Sequence, residues 1–240
     1  MRVTLYWFEL SNPGQAVRLM LERKGIAYET RDLLPGLHRL QVRLAGFPGS
    51  RVPALKVDGR RVQGSLRISR ALEELRPEPP LFPSAAVEEA EAWGEAVLQP
   101  VTGRIFHWAL ARDPELREWL ARESGVPAAR ALARVTGPVA RLFDRSATDA
   151  AIRRDLDELP RMLDRVDDLI AAGTIGTDEP NAADFQIGTT VREVMSYAGL
   201  RQLVSGRPAE ELALRILPEW QESPVRVPAG VRDARRAGAG

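Results

Sequence analysis

Ser11 is the residue of this chain best suited to stabilising a negative charge. It stands in Ser11-Asn12-Pro13-Gly14, a cluster that breaks a strand-like run and opens a helical one, so its hydroxyl lies beside the free amides of a first helical turn. A hydroxyl donating to an anion contributes about 1.5–3 kcal/mol, and a helix start adds roughly 0.3–1 kcal/mol. Together these could lower the pKa of a bound acidic group by about two units, which takes about 2.7 kcal/mol. On residue type alone, Ser11 is first of all a turn residue. The sequence holds no cysteine, so any thiol must arrive on a ligand. The same absence excludes a disulfide framework, a thiolate metal site and an iron–sulfur cluster. Further along, His38, Arg39 and Arg51 stand in irregular stretches, where a histidine or arginine is an ordinary loop residue in a chain rich in arginine.

Positioning these residues requires a particular order of elements. Residues 2–8 alternate and are β-branched or aromatic, as in a half-buried strand. A helix follows, with Asn12 as the expected N-cap, Pro13 at its first position, and Ala16, Val17, Met20 and Leu21 at helical spacing until Gly25. Ile26 to Leu33 reads as a second strand, which completes a βαβ unit. After an irregular stretch at 34–51, Ala54-Leu55-Lys56-Val57 and Arg61-Val62-Gln63 flank Asp58-Gly59, a strong hairpin signal. Ser65 then begins an amphipathic run through Leu66, Ile68, Ala71, Leu72 and Leu75 that stops at Arg76-Pro77.

Pro77-Glu78-Pro79-Pro80 with Pro83 reads as a stiff linker. The expected division is therefore 1–76 as an α/β domain, 77–83 as linker, 84–217 as an all-helical domain and 218–240 as an extended tail. Helices are expected over 84–111, 114–123, 127–144, 149–172, 181–198 and 207–217, with Pro160 kinking or splitting the fourth.

Composition narrows the function classes. With 240 residues, 44% hydrophobic and 28% charged, the chain is long enough for two ordinary globular domains. Its 34 basic and 33 acidic residues are interleaved, which leaves no basic stripe for nucleic acid. No apolar run approaches the roughly 20 residues that span a bilayer, and the first residues run directly into a strand pattern, so the expected compartment is the cytoplasm, away from membranes. Only Lys24 and Lys56 are lysines; the preference for arginine, with abundant alanine, points to a GC-rich bacterial genome.

These motifs, taken in order, resemble the glutathione S-transferase superfamily, and theta-like members most closely. Ser11-Asn12-Pro13-Gly14-Gln15-Ala16-Val17 matches the family's Ser-x-Pro-x-x-Ala-Val, whose serine holds the glutathione sulfur. Gly36-Leu37-His38 matches a Gly-x-His element whose histidine contacts the glycyl end of the tripeptide. Val52-Pro53-Ala54-Leu55 matches the signature in which the proline is cis and the preceding residue pairs with the cysteinyl unit. The family's Glu-Ser pair reads Gly64-Ser65, so the glutamate is lost while the serine and its helix start remain for the γ-glutamyl carboxylate. Asn181-Ala182-Ala183-Asp184 resembles the capping box of the family's helical domain.

The resemblance implies a thioredoxin-like N-terminal domain before a helical bundle. It also implies a homodimer, glutathione as co-substrate with no metal, and a hydrophobic electrophile as in detoxification. Ser11 is the implied catalytic residue, and His38, Arg51, Val52, Pro53, Gly64 and Ser65 are the implied binding residues. Tyr6 is the minority alternative to Ser11, while Trp93, Phe106, His107 and Trp108 fall on the long helix that lines the second substrate's pocket in the family, or simply pack the core. Three activities remain open on this reading: transfer of the thiol to an electrophile, a related thiol-dependent dehalogenation, isomerisation or peroxide reduction, and a binding or scaffolding module without turnover.

Overall fold

The computed structural model describes residues 1–34, 37–123, 144–220 and 224–227. Four strands form one mixed sheet: β1 (Val3–Trp7), β2 (Glu29–Asp32), β3 (Ala54–Val57) and β4 (Arg60–Gln63), in the order β2-β1-β3-β4. β2 runs parallel to β1, with Thr4 beside Glu29, as its crossover helix α1 (Asn12–Arg23) requires. β3 runs antiparallel to β1, with Tyr6 beside Ala54, and β4 antiparallel to β3. The Asp58-Gly59 hairpin forms as expected, both residues at positive φ, 45° and 95°.

Two helices complete this part. α2 (His38–Leu44) packs Val42 against Leu33, Phe47 and Ala54 on one face of the sheet. α3 (Ser65–Leu75) joins α1 on the other face, where Ile68 and Leu72 meet Leu5, Val17 and Met20 in the main core. That core continues without a break into a helical layer: α4 (Ala85–Trp93), α5 (Gln99–Arg112), α6 (Pro114–Glu123), α7 (Asp149–Ala171), α8 (Ala182–Ser196), the short α9 (Arg201–Val204) and α10 (Pro208–Ile216). This is a thioredoxin-like α/β domain followed by an all-helical one. Among the described residues there is no strand beyond β4, only an isolated bridge between Ala198 and Arg226, and no helix is long and apolar enough to cross a membrane.

Three expectations need correction. The long helix expected at 84–111 is interrupted by a π turn at Gly94–Leu98, just before Pro100, which has no N–H to continue the ordinary ladder. Pro160 does not split α7; the helix runs unbroken through 23 residues, because the buried stripe Ile152, Leu159, Leu163 and Val166 outweighs one lost bond. The second strand is shorter than Ile26–Leu33, pairing only over Glu29–Asp32. The helix expected at 127–144 lies, but for its last residue, outside the described residues, as does most of the tail.

The linker is held by a residue whose type alone drew no attention. Lys24, just past the end of α1, is 1% exposed. Its Nζ donates to the carbonyls of Pro77 (3.0 Å) and Pro79 (2.7 Å) and pairs with Glu73 of α3, whose carboxylate also accepts from the Leu81 amide at 2.9 Å. One ammonium thus ties α1, α3 and the linker together, spending all three of its hydrogens. Lys24→Met keeps the stem and removes the charge, leaving two carbonyls without a donor and Glu73 with the Leu81 amide alone. Urea unfolding is expected to show a loss of about 2–4 kcal/mol, below the full range for a buried pair because Glu73 is partly exposed. A loss under about 0.5 kcal/mol would mean the clamp contributes little.

Candidate functional site

The sheet register gathers the expected site residues at one edge. Ser11 follows the C-terminal end of β1, and His38 follows that of β2, which is parallel to it. Val52 and Pro53 precede β3 and Gly64 and Ser65 follow β4; with Tyr6 beside Ala54 and Ala54 beside Gln63, these ends coincide with the end of β1. This is the edge of an α/β sheet at which ligands are ordinarily bound.

Ser11, rather than Asn12, is the N-cap of α1; Asn12 is the first helical residue. The Ser11 Oγ accepts from the Gly14 amide at 3.2 Å, and its carbonyl accepts from Gln15 at 2.8 Å. A hydroxyl that accepts in this way keeps its own hydrogen to donate. Gly14 fits a tight place: a Cβ would lie 3.2 Å from both the Ser11 side chain and Trp7, so those side chains would have to shift by a few tenths of an ångström. Gln15 braces the turn from behind, donating to the Glu9 carbonyl at 2.8 Å while accepting from Arg18.

The other side of the site is fastened to itself. The Gln63 side chain donates to the Arg51 carbonyl (2.6 Å) and accepts from the Gly49 amide (2.8 Å), and the Gly64 amide donates to the Pro53 carbonyl at 3.0 Å. Val52-Pro53 is cis, as the family pattern implies. Gly64 caps α3 at φ 91°, a conformation suited to glycine, and no side chain caps the helix. Ser65, 2% exposed, therefore opens a helix whose first amides are free to meet an anion. Arg51 is exposed beside this junction.

His38 begins α2 and lies 5.4 Å, ring to ring, from Phe8 at the end of β1. Its Nδ1 is buried without a partner. Burial first, then the Arg39 guanidinium and the ring of His107, push His38 down to about 4. His107, on α5, is the chain's only other histidine; burial lowers it too, against the pull of the Asp144 carboxylate 3.7 Å away. The two imidazoles, one from each domain, are close enough for the His107 ring to act on His38. Tyr6 packs edge-on against Phe47 at 5.2 Å in the cluster beneath α2, and Trp108 donates to Asp149 at 2.7 Å, so both are held in packing roles. A cavity of about 780 Å³ beside α1 and β2 is a separate hollow, lined by Trp7, Leu19 and Asp32 among others but by none of Ser11, His38, Val52 or Ser65.

Residues 5–80 match the family model described as glutathione S-transferase, N-terminal domain. The first third of the chain is thus similar to a glutathione S-transferase N-terminal domain. Among curated proteins it is similar to maleylacetoacetate isomerase of Pseudomonas aeruginosa, 37% identical over 122 residues, which is 48% of this chain and 56% of that protein. The chain spans about half the length of the curated relatives it matches. Among solved structures, glutathione transferase F7 of Populus trichocarpa aligns with a TM-score of 0.61 at 17% identity, covering 89% of this chain and 92% of that one. A maleylacetoacetate isomerase of Anaeromyxobacter dehalogenans, solved with bound glutathione, aligns with a TM-score of 0.54 at 21% identity over 100% of this chain and 98% of that one. At such identities the likeness is one of fold.

The lowered His38 is directly testable, since the chain has only two imidazoles to resolve. Proton NMR is expected to show the His38 ring unchanged from pH 8 to about 5 and titrating near 4, with His38→Ala assigning the signal. A midpoint between 6 and 7, as in an exposed histidine, would contradict the buried setting.

Proposed function

We propose that this chain is a glutathione-dependent enzyme in which Ser11 favours the thiolate of the bound tripeptide. The observation that carries the reading is the cap geometry: Ser11 Oγ is already engaged as acceptor by Gly14, so its hydrogen is the one left to point outward beside the helix start. Glutathione would supply the nucleophilic sulfur. Val52 offers backbone groups at the β3 entrance, Ser65 and the uncapped α3 start suit a carboxylate, and Arg51 and neutral His38 flank the remaining end. With glycine at position 64, the γ-glutamyl end loses one acidic partner, which weakens affinity rather than sulfur activation.

A second reading of the same site is favoured by the relatives' name. A thiolate that adds to an activated carbon–carbon double bond, allows rotation about the resulting single bond and is then expelled performs an isomerisation without consuming glutathione. The same Ser11 hydroxyl serves both reactions, because each begins from the thiolate. Product analysis separates them: transfer yields a conjugate and depletes glutathione, while isomerisation returns it. A homodimer in the cytoplasm is the assembly and compartment that go with either activity.

Ser11→Ala is expected to raise the pKa of the bound thiol by about one to two units while changing glutathione affinity only a few-fold. Turnover at neutral pH then falls roughly ten- to hundredfold. Ultraviolet titration of the thiolate in the complex, with steady-state kinetics, checks both parts. An unchanged thiol pKa in Ser11→Ala would assign the sulfur to another donor.

A further inference from the structure

The residue following Ser11 is gripped from the helical domain. Asn12, 3% exposed, donates its side-chain amide to the Glu193 carboxylate of α8 at 2.6 Å, with Thr102 of α5 at 3.3 Å and Thr190 of α8 at 3.5 Å as further acceptors. Both threonine hydroxyls spend their own hydrogens on carbonyls of the preceding turn, Gln99 at 3.0 Å and Gln186 at 2.8 Å, so they face Asn12 as acceptors. The other oxygen of Glu193 accepts from the Tyr197 hydroxyl at 2.7 Å; Tyr197 is 1% exposed and also lies 3.2 Å from the Thr102 carbonyl. A carboxylate with one strong donor on each oxygen has a fixed orientation.

Packing alone does not call for this arrangement. Burial pushes the Glu193 carboxyl up, against the bonds from Tyr197 and Asn12 that favour its ionised form, so placing an acid here costs stability that a threonine or leucine would not cost. What the acid adds is direction. The amide of Asn12 is the first group of α1, and the hydroxyl that caps the same turn belongs to the residue before it. We propose that Glu193 is a positioning residue: by holding Asn12 it fixes the first turn of α1, and thereby the aim of the Ser11 hydroxyl. The helical domain in this way acts on the sulfur as well as on the second substrate. The inference rests on the proposed role of Ser11.

The test compares Glu193→Ala, which releases Asn12, with Glu193→Gln, which keeps an acceptor of the same shape without the charge. In the unliganded protein, hydrogen exchange at the Gly14 amide, the one capped by Ser11, is expected to quicken at least tenfold in Glu193→Ala and to stay near wild type in Glu193→Gln. In the glutathione complex, the thiol pKa is expected to rise by about one unit in Glu193→Ala and not in Glu193→Gln, with glutathione affinity nearly unchanged. Tyr197→Phe, which removes one bond to Glu193 without opening a cavity, shows a smaller shift of the same sign and serves if Glu193→Ala does not fold. Unchanged exchange at Gly14, or equal thiol shifts in the alanine and glutamine variants, overturns the inference. A thiol pKa that responds to Ser11→Ala but not to Glu193→Ala sinks the positioning role alone; one that responds to neither sinks the Ser11 reading with it.

Discussion

If the Ser11 hydroxyl is to favour a thiolate as proposed, its hydrogen has to be aimed, and a fixed first turn of α1 aims it best. The chain fixes that helix from both ends. At its start, Ser11 bonds the Gly14 amide and Asn12 bonds Glu193; just past its end, Lys24 binds the linker and α3, and Arg76 donates to the carbonyls of Lys24 (2.7 Å) and Gly25 (2.8 Å). Between them the apolar face, Ala16, Val17, Met20 and Leu21, is fully buried in the core shared with the helical domain. The position of α1 sets the sheet edge, because β1 enters it and β2 leaves it.

The same economy governs charge. The site edge keeps exposed Arg51 as a cation, while burial lowers His38 and His107 and the Asn12 amide faces the Glu193 carboxylate. Farther away, Glu91, fully buried between α3 and α4 beside Arg70, is pushed up to about 7, chiefly by burial. These shifts act on stability with opposite signs. Between about pH 7 and the ordinary carboxylate range the folded state holds a proton on Glu91 that the unfolded chain has lost, so stability rises as pH falls through that window. Between the ordinary imidazole value and about 4 the unfolded chain binds a proton that folded His38 refuses, so stability falls with pH there. For these two groups alone, the effects oppose each other where the windows overlap.

What the sequence revealed depended on how local the cause was. Asp58-Gly59 and the Asn181–Asp184 capping box act within four residues, and both form as read, the Asn181 oxygen accepting from Ala183 (3.0 Å) and Asp184 (3.1 Å) while Asp184 accepts from Asn181 at 2.9 Å. The order of Ser11, His38, Val52-Pro53 and Gly64-Ser65 along the chain sufficed to bring them to one sheet edge, since strand direction follows from connection length. Distant causes were hidden. Asn12 looked like a cap because its type suits one, but its amide is claimed by a residue 181 positions away, and the cap moves to Ser11. Lys24 likewise carried no local signal, since its partners at Pro77 and Pro79 act through carbonyls that any residue possesses.

The central claim is that this edge takes glutathione and shifts its thiol toward the anion. Calorimetric titration of the wild-type chain with glutathione near pH 7, repeated in buffers of different ionisation heat, measures binding and proton release together. The account expects saturable binding of one tripeptide per chain with release of most of a proton, since the sulfur ionises as it meets Ser11. Binding without proton release would contradict the role given to Ser11, and the absence of saturable binding would contradict the site itself.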